Sequence, residues 1–228
     1  MGEVSIKPSA VLWDMDGTLV DTEPYWMDAE TRLVESFGGV WTQQDALQLV
    51  GNGLIDSGVI LQGYGVRLSA EEIVERLTDE VAARLRNDGV PFRPGARELL
   101  AELRATGIRT ALVTMSMKRM ALDVISLIDF TAFDLVIGGD EVGRPKPFPD
   151  PYLQAATTLG VDIADTVVIE DSLTGVTAGR ASGAVTLGVP HIVPLDDAPA
   201  HELWPTLEGR TAADIRDLHS RFVKESSR

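Results

Sequence analysis

This sequence of 228 residues predicts an α/β fold, a doubly wound parallel sheet interrupted by one helical insertion. Three observations predict it. Five short apolar runs have the length and composition of buried strands. Helical patterns of about ten residues separate the last four of them. The interval between the first run and the second is far too long for a simple crossover.

The first strand is Ala10–Trp13, and the others are expected at Arg109–Val113, 133–137, 166–169 and 184–187. Pro94-Gly95 opens a helix from Ala96 to about Ala105, closed by Gly107. A second helix spans 117 to about 128, with Met120, Leu122, Val124, Ile125 and Ile128 as apolar positions. A third starts at Pro151 and stops at Gly160, and a fourth follows Asp171-Ser172 and stops near Gly183. Strands alternating with helices pair in parallel, with helices on both faces of the sheet.

A strand–helix–strand unit takes about 30 residues, yet Asp14 and Thr114 lie about 100 apart, so roughly 70 are inserted. The division expected is a core of residues 1–20 and 94–228 and a helical cap of residues 21–93. Within the cap, Trp26, Ala29, Leu33, Val34 and Phe37 fall along one helical face. Ser69-Ala70-Glu71-Glu72 is a capping box that opens a helix ending near Arg86. Val50-Gly51-Asn52-Gly53 is a glycine-rich loop, readable equally as a plain helix connection.

Composition narrows the function. There is no cysteine, which excludes a disulfide framework, a thiolate metal site and a cysteine nucleophile. Residues 1–8 carry no long apolar segment, so no signal peptide is expected, and Ile6 breaks the N-myristoylation pattern. No apolar run reaches the about 20 residues that span a bilayer. A cytoplasmic monomer is the expectation. The formal net charge of −15 argues against a nucleic-acid partner. It would also repel a phosphate substrate at long range, so local cations must offset it.

The chemistry-bearing residues sit at strand ends. Asp14-Met15-Asp16-Gly17-Thr18 follows the first strand directly, at the sheet edge where α/β proteins bind ligands. Taken alone, such a string is an ordinary turn. Thr114 and Ser116 follow the second strand, where hydroxyls commonly serve their own backbone or cap a helix. Lys146 stands between Pro145 and Pro147 in a stiff loop. Glu170 and Asp171 end the fourth strand, where Asp171 or Ser172 could simply cap the next helix.

The longer string Asp14-Met15-Asp16-Gly17-Thr18-Leu19-Val20-Asp21-Thr22-Glu23 resembles the first motif of the haloacid dehalogenase-like hydrolases. Thr114, Lys146 and Glu170-Asp171 resemble the family's second, third and fourth motifs in the expected order. The position of the insert is similar to that in the subclass containing β-phosphoglucomutases and many small phosphatases. The resemblance implies a Rossmann-like core with a small helical cap. It also implies a Mg²⁺-dependent phosphatase acting on a small phosphorylated metabolite through an aspartyl-phosphate.

By the same resemblance, Asp14 is the nucleophile and Asp16 the general acid and base. Thr114 and Lys146 hold the phosphoryl group; Ser116 caps the following helix, with a secondary role at the phosphate. Asp14, Asp16 (through its main-chain carbonyl), Glu170 and Asp171 are the implied metal ligands, Glu170 either directly or in support. Asn52 and Asp56 are candidate contacts to substrate hydroxyls. Sugar-phosphate mutases share all four motifs but carry a cap arginine and a hinge histidine, where this chain aligns Leu54 and Trp26. That favours hydrolysis. A catalytically silent binding protein on the same fold is the third possibility.

Overall fold

The computed structural model describes residues 7–226. The residues read above for a leader and for myristoylation lie largely outside them. Among the described residues, six parallel strands form one sheet in the order β3-β2-β1-β4-β5-β6. They are β1 Ala10–Trp13, β2 Arg109–Val113, β3 Leu135–Ile137, β4 Thr166–Glu170, β5 Val185–Gly188 and β6 Glu202–Leu203. The first strand is central, in register with β2 (Leu12 beside Ala111) and with β4 (Leu12 beside Val168). No helix among the described residues is long and apolar enough to cross a membrane.

Alternation along the strands divides the core into two layers. Val11 and Trp13 face the helices α5 (Ala96–Ala105), α6 (Lys118–Ser126) and α9 (Ala212–Ser226), through Leu99, Met120 and Ile215 among others. Ala10 and Leu12 face α7 (Asp150–Leu159) and α8 (Leu173–Ser182), through Tyr152, Ala155 and Ala178. Buried on both sides, β1 must be apolar throughout, and its four residues are.

Two shifted boundaries and one added strand stand out against the sequence reading. The third strand starts at Leu135, two residues late, because the Asp134 carboxylate takes the Thr110 N–H at 2.9 Å and pairs with Arg104. The second core helix starts at Lys118 and its N-cap is Met117, not Ser116. Asp140, from the loop after β3, accepts the Lys118 N–H at 2.7 Å and does the capping. The sixth strand, two residues long, was not anticipated.

Four helices lie between β1 and α5: α1 Glu23–Ser36, α2 Gln43–Leu47, α3 Leu54–Gly63 and α4 Ala70–Asp88. The Ser69–Glu72 capping box closes in both directions at the start of α4. The glycine-rich loop connects α2 to α3, two helices that the sequence reading lacked. The two chain crossings between these helices and the sheet run side by side. Asp21 donates its N–H to Pro91 O at 2.7 Å, Arg93 donates to Leu19 O at 3.0 Å, and Val20 pairs with Phe92.

Candidate active site

Because β1 lies between β2 and β4, their carboxyl ends deliver Asp14, Thr114 and Glu170-Asp171 to one point. The loop before α7 brings Lys146 to the same point. Its ammonium, almost wholly buried, donates to Asp14 Oδ1 at 2.6 Å, Glu170 Oε1 at 2.6 Å and Val113 O at 2.9 Å. All three of its protons are used. Burial would lower its pKa, but Asp14 and Glu170 together outweigh burial and hold the group charged, above the ordinary lysine range.

The carboxylates feel the opposite balance. Burial raises the Asp14 pKa to about 7, Glu170 adds to the rise, and Lys146 opposes it. Asp171 is pushed well up by burial and by Asp14 and Glu170, with only a hydrogen bond from Thr18 at 3.0 Å in opposition. One lysine does not neutralise three buried acids.

Glu170 is already fully engaged. Oε1 accepts from Lys146 and, at 2.6 Å, from the Tyr152 hydroxyl. Oε2 accepts from the Asp171 N–H and the Ser172 hydroxyl, each at 3.2 Å. Gly175 makes room for it, since a Cβ there would lie 1.9 Å from the Glu170 carboxyl. Ser172 is the N-cap of α8, accepting the Gly175 N–H at 3.1 Å, so Asp171 is free of that duty.

Asp16 faces the other way. Gly17, at φ 83°, turns the chain sharply after it, and a Cβ on Gly17 would lie 2.1 Å from Asp171 Oδ2. The Asp16 carboxylate accepts from the Thr22 hydroxyl, the Trp26 indole at 3.1 Å, the Ser116 hydroxyl at 2.6 Å and Thr114 Oγ1 at 3.3 Å. Ser116, expected to cap a helix, instead orients this carboxylate. The two aspartates of the first motif thus project to opposite sides of one point, Asp14 toward Lys146 and Asp16 toward the cap helices.

Above them lies a cavity of about 70 Å³, walled by Asp14, Asp16, Thr114, Ser116, Lys146 and Asp171 on the sheet side. On the helix side it meets Glu23, Trp26, Glu30, Leu54 and Leu77. Asn52 is also a wall residue, although its amide donates to Gln48 O at 2.8 Å. Asp56 is not; it stands exposed on the first turn of α3. Lys146 is the one cation among the wall residues described.

Several participants escaped the sequence reading. Thr18 and Thr22 lie inside the quoted motif, and their hydroxyls hold Asp171 and Asp16. Glu23, also in the motif, is buried in the cavity wall, and burial with the nearby Asp16 raises its pKa to about 8. Tyr152 gave no signal, because a buried tyrosine on a helix reads as core.

A divalent cation fits this point. Asp14, Glu170 and Asp171 have oxygens within 4.8 Å of one another, all buried; Glu170 is taken by its four donors, which leaves Asp14 and Asp171 as hard oxygen donors that suit magnesium. The uncompensated charge on Asp14 and Asp171 is the physical ground for that fit.

Comparison with known proteins agrees with this geometry. Residues 11–189 match the family model described as haloacid dehalogenase-like hydrolase, and the chain belongs to that family. It is 33% identical over 188 residues to the phosphorylated carbohydrates phosphatase of Thermotoga maritima, covering 80% of this chain and 85% of that protein. It is 32% identical over 187 residues to the bifunctional riboflavin kinase/FMN phosphatase of Arabidopsis thaliana. The match there covers 81% of this chain but only 49% of that longer protein. Among solved structures, CbbY of Rhodobacter sphaeroides in complex with xylulose 1,5-bisphosphate superposes with a TM-score of 0.81 at 25% identity, covering 89% of this chain and 96% of that one.

Proposed function

We propose that this haloacid dehalogenase-like hydrolase is a Mg²⁺-dependent phosphatase for a small monophosphate ester, working through an aspartyl-phosphate. One observation carries the reading: Asp14 and Asp16, two residues apart, are held on opposite sides of the cavity floor by unlike partners. Asp14 lies against an ammonium, as a carboxylate nucleophile requires. Asp16 is ringed by hydroxyl and indole donors on the side of the floor nearer the cap helices, as a proton carrier beside a leaving group requires.

In the first step an Asp14 oxygen attacks phosphorus and the bond from phosphorus to the ester oxygen breaks, while Asp16 gives that oxygen a proton. In the second, Asp16 takes a proton from water, which attacks the aspartyl-phosphate and releases inorganic phosphate. Lys146 and Thr114 steady the phosphoryl oxygens, and Ser116 fixes the Asp16 carboxylate. Glu170, saturated by Lys146, Tyr152, Ser172 and its neighbour's N–H, positions Lys146 rather than binding metal directly. Asp14, Asp171 and the Asp16 main-chain carbonyl would hold the cation. When bound, Mg²⁺ supplies positive charge to the transferring phosphoryl group.

Residues 21–93 act as the cap and residues 1–20 with 94–228 as the core, in a cytoplasmic monomer. The mutase alternative asks for a second phosphate under the cap, which calls for a charge-assisted partner. Leu54 and Trp26 supply none, and Lys146 is already committed.

The test is release of inorganic phosphate from p-nitrophenyl phosphate and from a panel of phosphorylated sugars and polyols, with Mg²⁺ present. Asp14→Asn should abolish release. Turnover of none of these esters by the wild-type protein, or near-normal rates in Asp14→Asn, would refute the proposal.

A further inference from the structure

Among the described residues, Glu30 is the buried carboxylate left with an oxygen that nothing satisfies. It is 6% exposed, and its Oε2 has no hydrogen-bond partner. Burial raises its pKa to about 7; the Trp41 indole favours the ionised form without reaching hydrogen-bonding geometry. A buried polar atom without a partner is costly, and a native chain that keeps one has a use for it.

Its place on α1 says what use. Glu23, Trp26 and Glu30 share one face of that helix, being three and four residues apart. Trp26 reaches down to Asp16 at 3.1 Å, and Glu30 stands one turn beyond, about 6 Å farther along the axis. All three line the cavity that Asp14 and Asp16 floor. Glu30 thus lines the same cavity as the proton carrier, one helical turn beyond the residue that touches it, on the side where the body of a small leaving group must lie. The helix side of the wall also carries Ala46, Leu54, Ser57, Val74 and Leu77 and, among the residues described, no cation. The donors open to the Glu30 carboxylate are therefore the Trp41 indole, itself buried without a partner, and a ligand in the cavity.

We propose that Glu30 is a specificity-determining residue that accepts a hydrogen bond from a hydroxyl or ammonium group on the leaving portion of the substrate. This rests on the phosphatase reading and deepens it. The favoured substrates are monophosphates of polyols, sugars or amino sugars. A second phosphate or a carboxylate on the same molecule meets Glu23 and Glu30 and no free cation, and is rejected.

The experiment compares kcat/KM for sorbitol 6-phosphate, glucose 6-phosphate and glucosamine 6-phosphate with that for n-hexyl phosphate, which has six carbons and no second donor. In the wild-type protein the best of the three should exceed hexyl phosphate by 10-fold or more. In Glu30→Leu that ratio should fall by about 10- to 100-fold, mostly through KM, as expected for a lost hydrogen bond to a charged group. Glu30→Gln, which keeps the volume and one acceptor, should fall less, and it serves as the test if the leucine variant does not fold. An equal or higher value for hexyl phosphate in the wild type, or an unchanged ratio in both variants, would overturn the proposal. If the wild type turns over no ester at all, the phosphatase reading fails instead. Calorimetric titration of wild type and Glu30→Gln with sorbitol 6-phosphate and hexyl phosphate then decides Glu30, and equal affinities throughout would refute its role.

Discussion

A group held for its ligand at the expense of the fold should betray itself in a stability measurement made without any ligand. Replacing Glu30 by Gln keeps the shape and removes the titration. Burial raises the Glu30 pKa from 4.5 to about 7 in the folded chain, a gap of about 2.5 units. At about 1.4 kcal/mol per unit, that gap corresponds to about 3 kcal/mol. The sign follows from proton uptake. Between pH 4.5 and about 7 the native state holds the proton that the unfolded chain has released, so stability falls as pH rises through this window. Below the window Glu30 is neutral in both states and resembles Gln; above it the native carboxylate bears the full cost. Urea unfolding of the two proteins should therefore nearly coincide at about pH 4 and separate by about pH 8. There Glu30→Gln should be more stable by up to about 3 kcal/mol, or about 1 M in midpoint for an m-value near 3 kcal/mol per molar. A variant less stable than wild type at pH 8, or a difference that ignores pH, would show that Glu30 is ionised and has a structural partner, and would refute the reasoning.

Three further outcomes are expected. EDTA should abolish phosphate release and Mg²⁺ should restore it, with Ca²⁺ a poor substitute because it tolerates looser coordination; full activity in chelator would remove the metal assignment. Asp16→Asn should keep KM within a few-fold and lose about 10²–10⁴ in kcat, the usual worth of general acid–base catalysis, measured by steady-state kinetics on a sugar phosphate. Gly175→Ala should push Glu170 off Lys146 and Tyr152, since the new methyl would lie 1.9 Å from its carboxyl. Overpacking of this kind costs about 1–3 kcal/mol, which calorimetry should register as a fall of about 3–10 °C in Tm, accompanied by slower turnover.

How much was legible in the sequence depends on whether a residue's neighbours are local. The first two strands were placed to the residue, because a strand buried on both faces reads as an apolar run, complete in Ala10–Trp13 and limited to Ala111–Val113 in the second. The strand ends then carried Asp14, Thr114 and Asp171 to one edge by topology alone, and the proline-stiffened loop before α7 adds Lys146. Where side chains from elsewhere decide, the reading went astray. Ser116 has the pattern of a cap, yet Asp140 caps α6 and Ser116 serves Asp16. The third helix was missed because Leu54–Gly63 contains glycines at 58 and 63 and shows no polar face. Gly58 lies against Ala70, where a Cβ would stand 2.9 Å from that carbonyl, so the glycine that hides the helix in the sequence is what packs it against α4. Glu30, in Asp28-Ala29-Glu30-Thr31-Arg32, carries no signal in the sequence, and only the fold shows it buried in the cavity wall.

The overall acidity also changes meaning once positions are known. In the sequence, a net charge of −15 reads as solubility and as an obstacle to binding phosphate. In the fold the acids are sorted. Asp14 and Asp171 lie deep beside Lys146, where the proposed cation would turn the floor of the cavity into a phosphate site. Glu23 and Glu30 stand above the floor in a wall that carries no cation of its own. A monophosphate can satisfy both layers at once, anion down and hydroxyls up, whereas a bisphosphate leaves one dianion facing two acids. On the proposed reading, the charge that hinders approach at long range therefore selects at short range for a single phosphate on a donor-rich body.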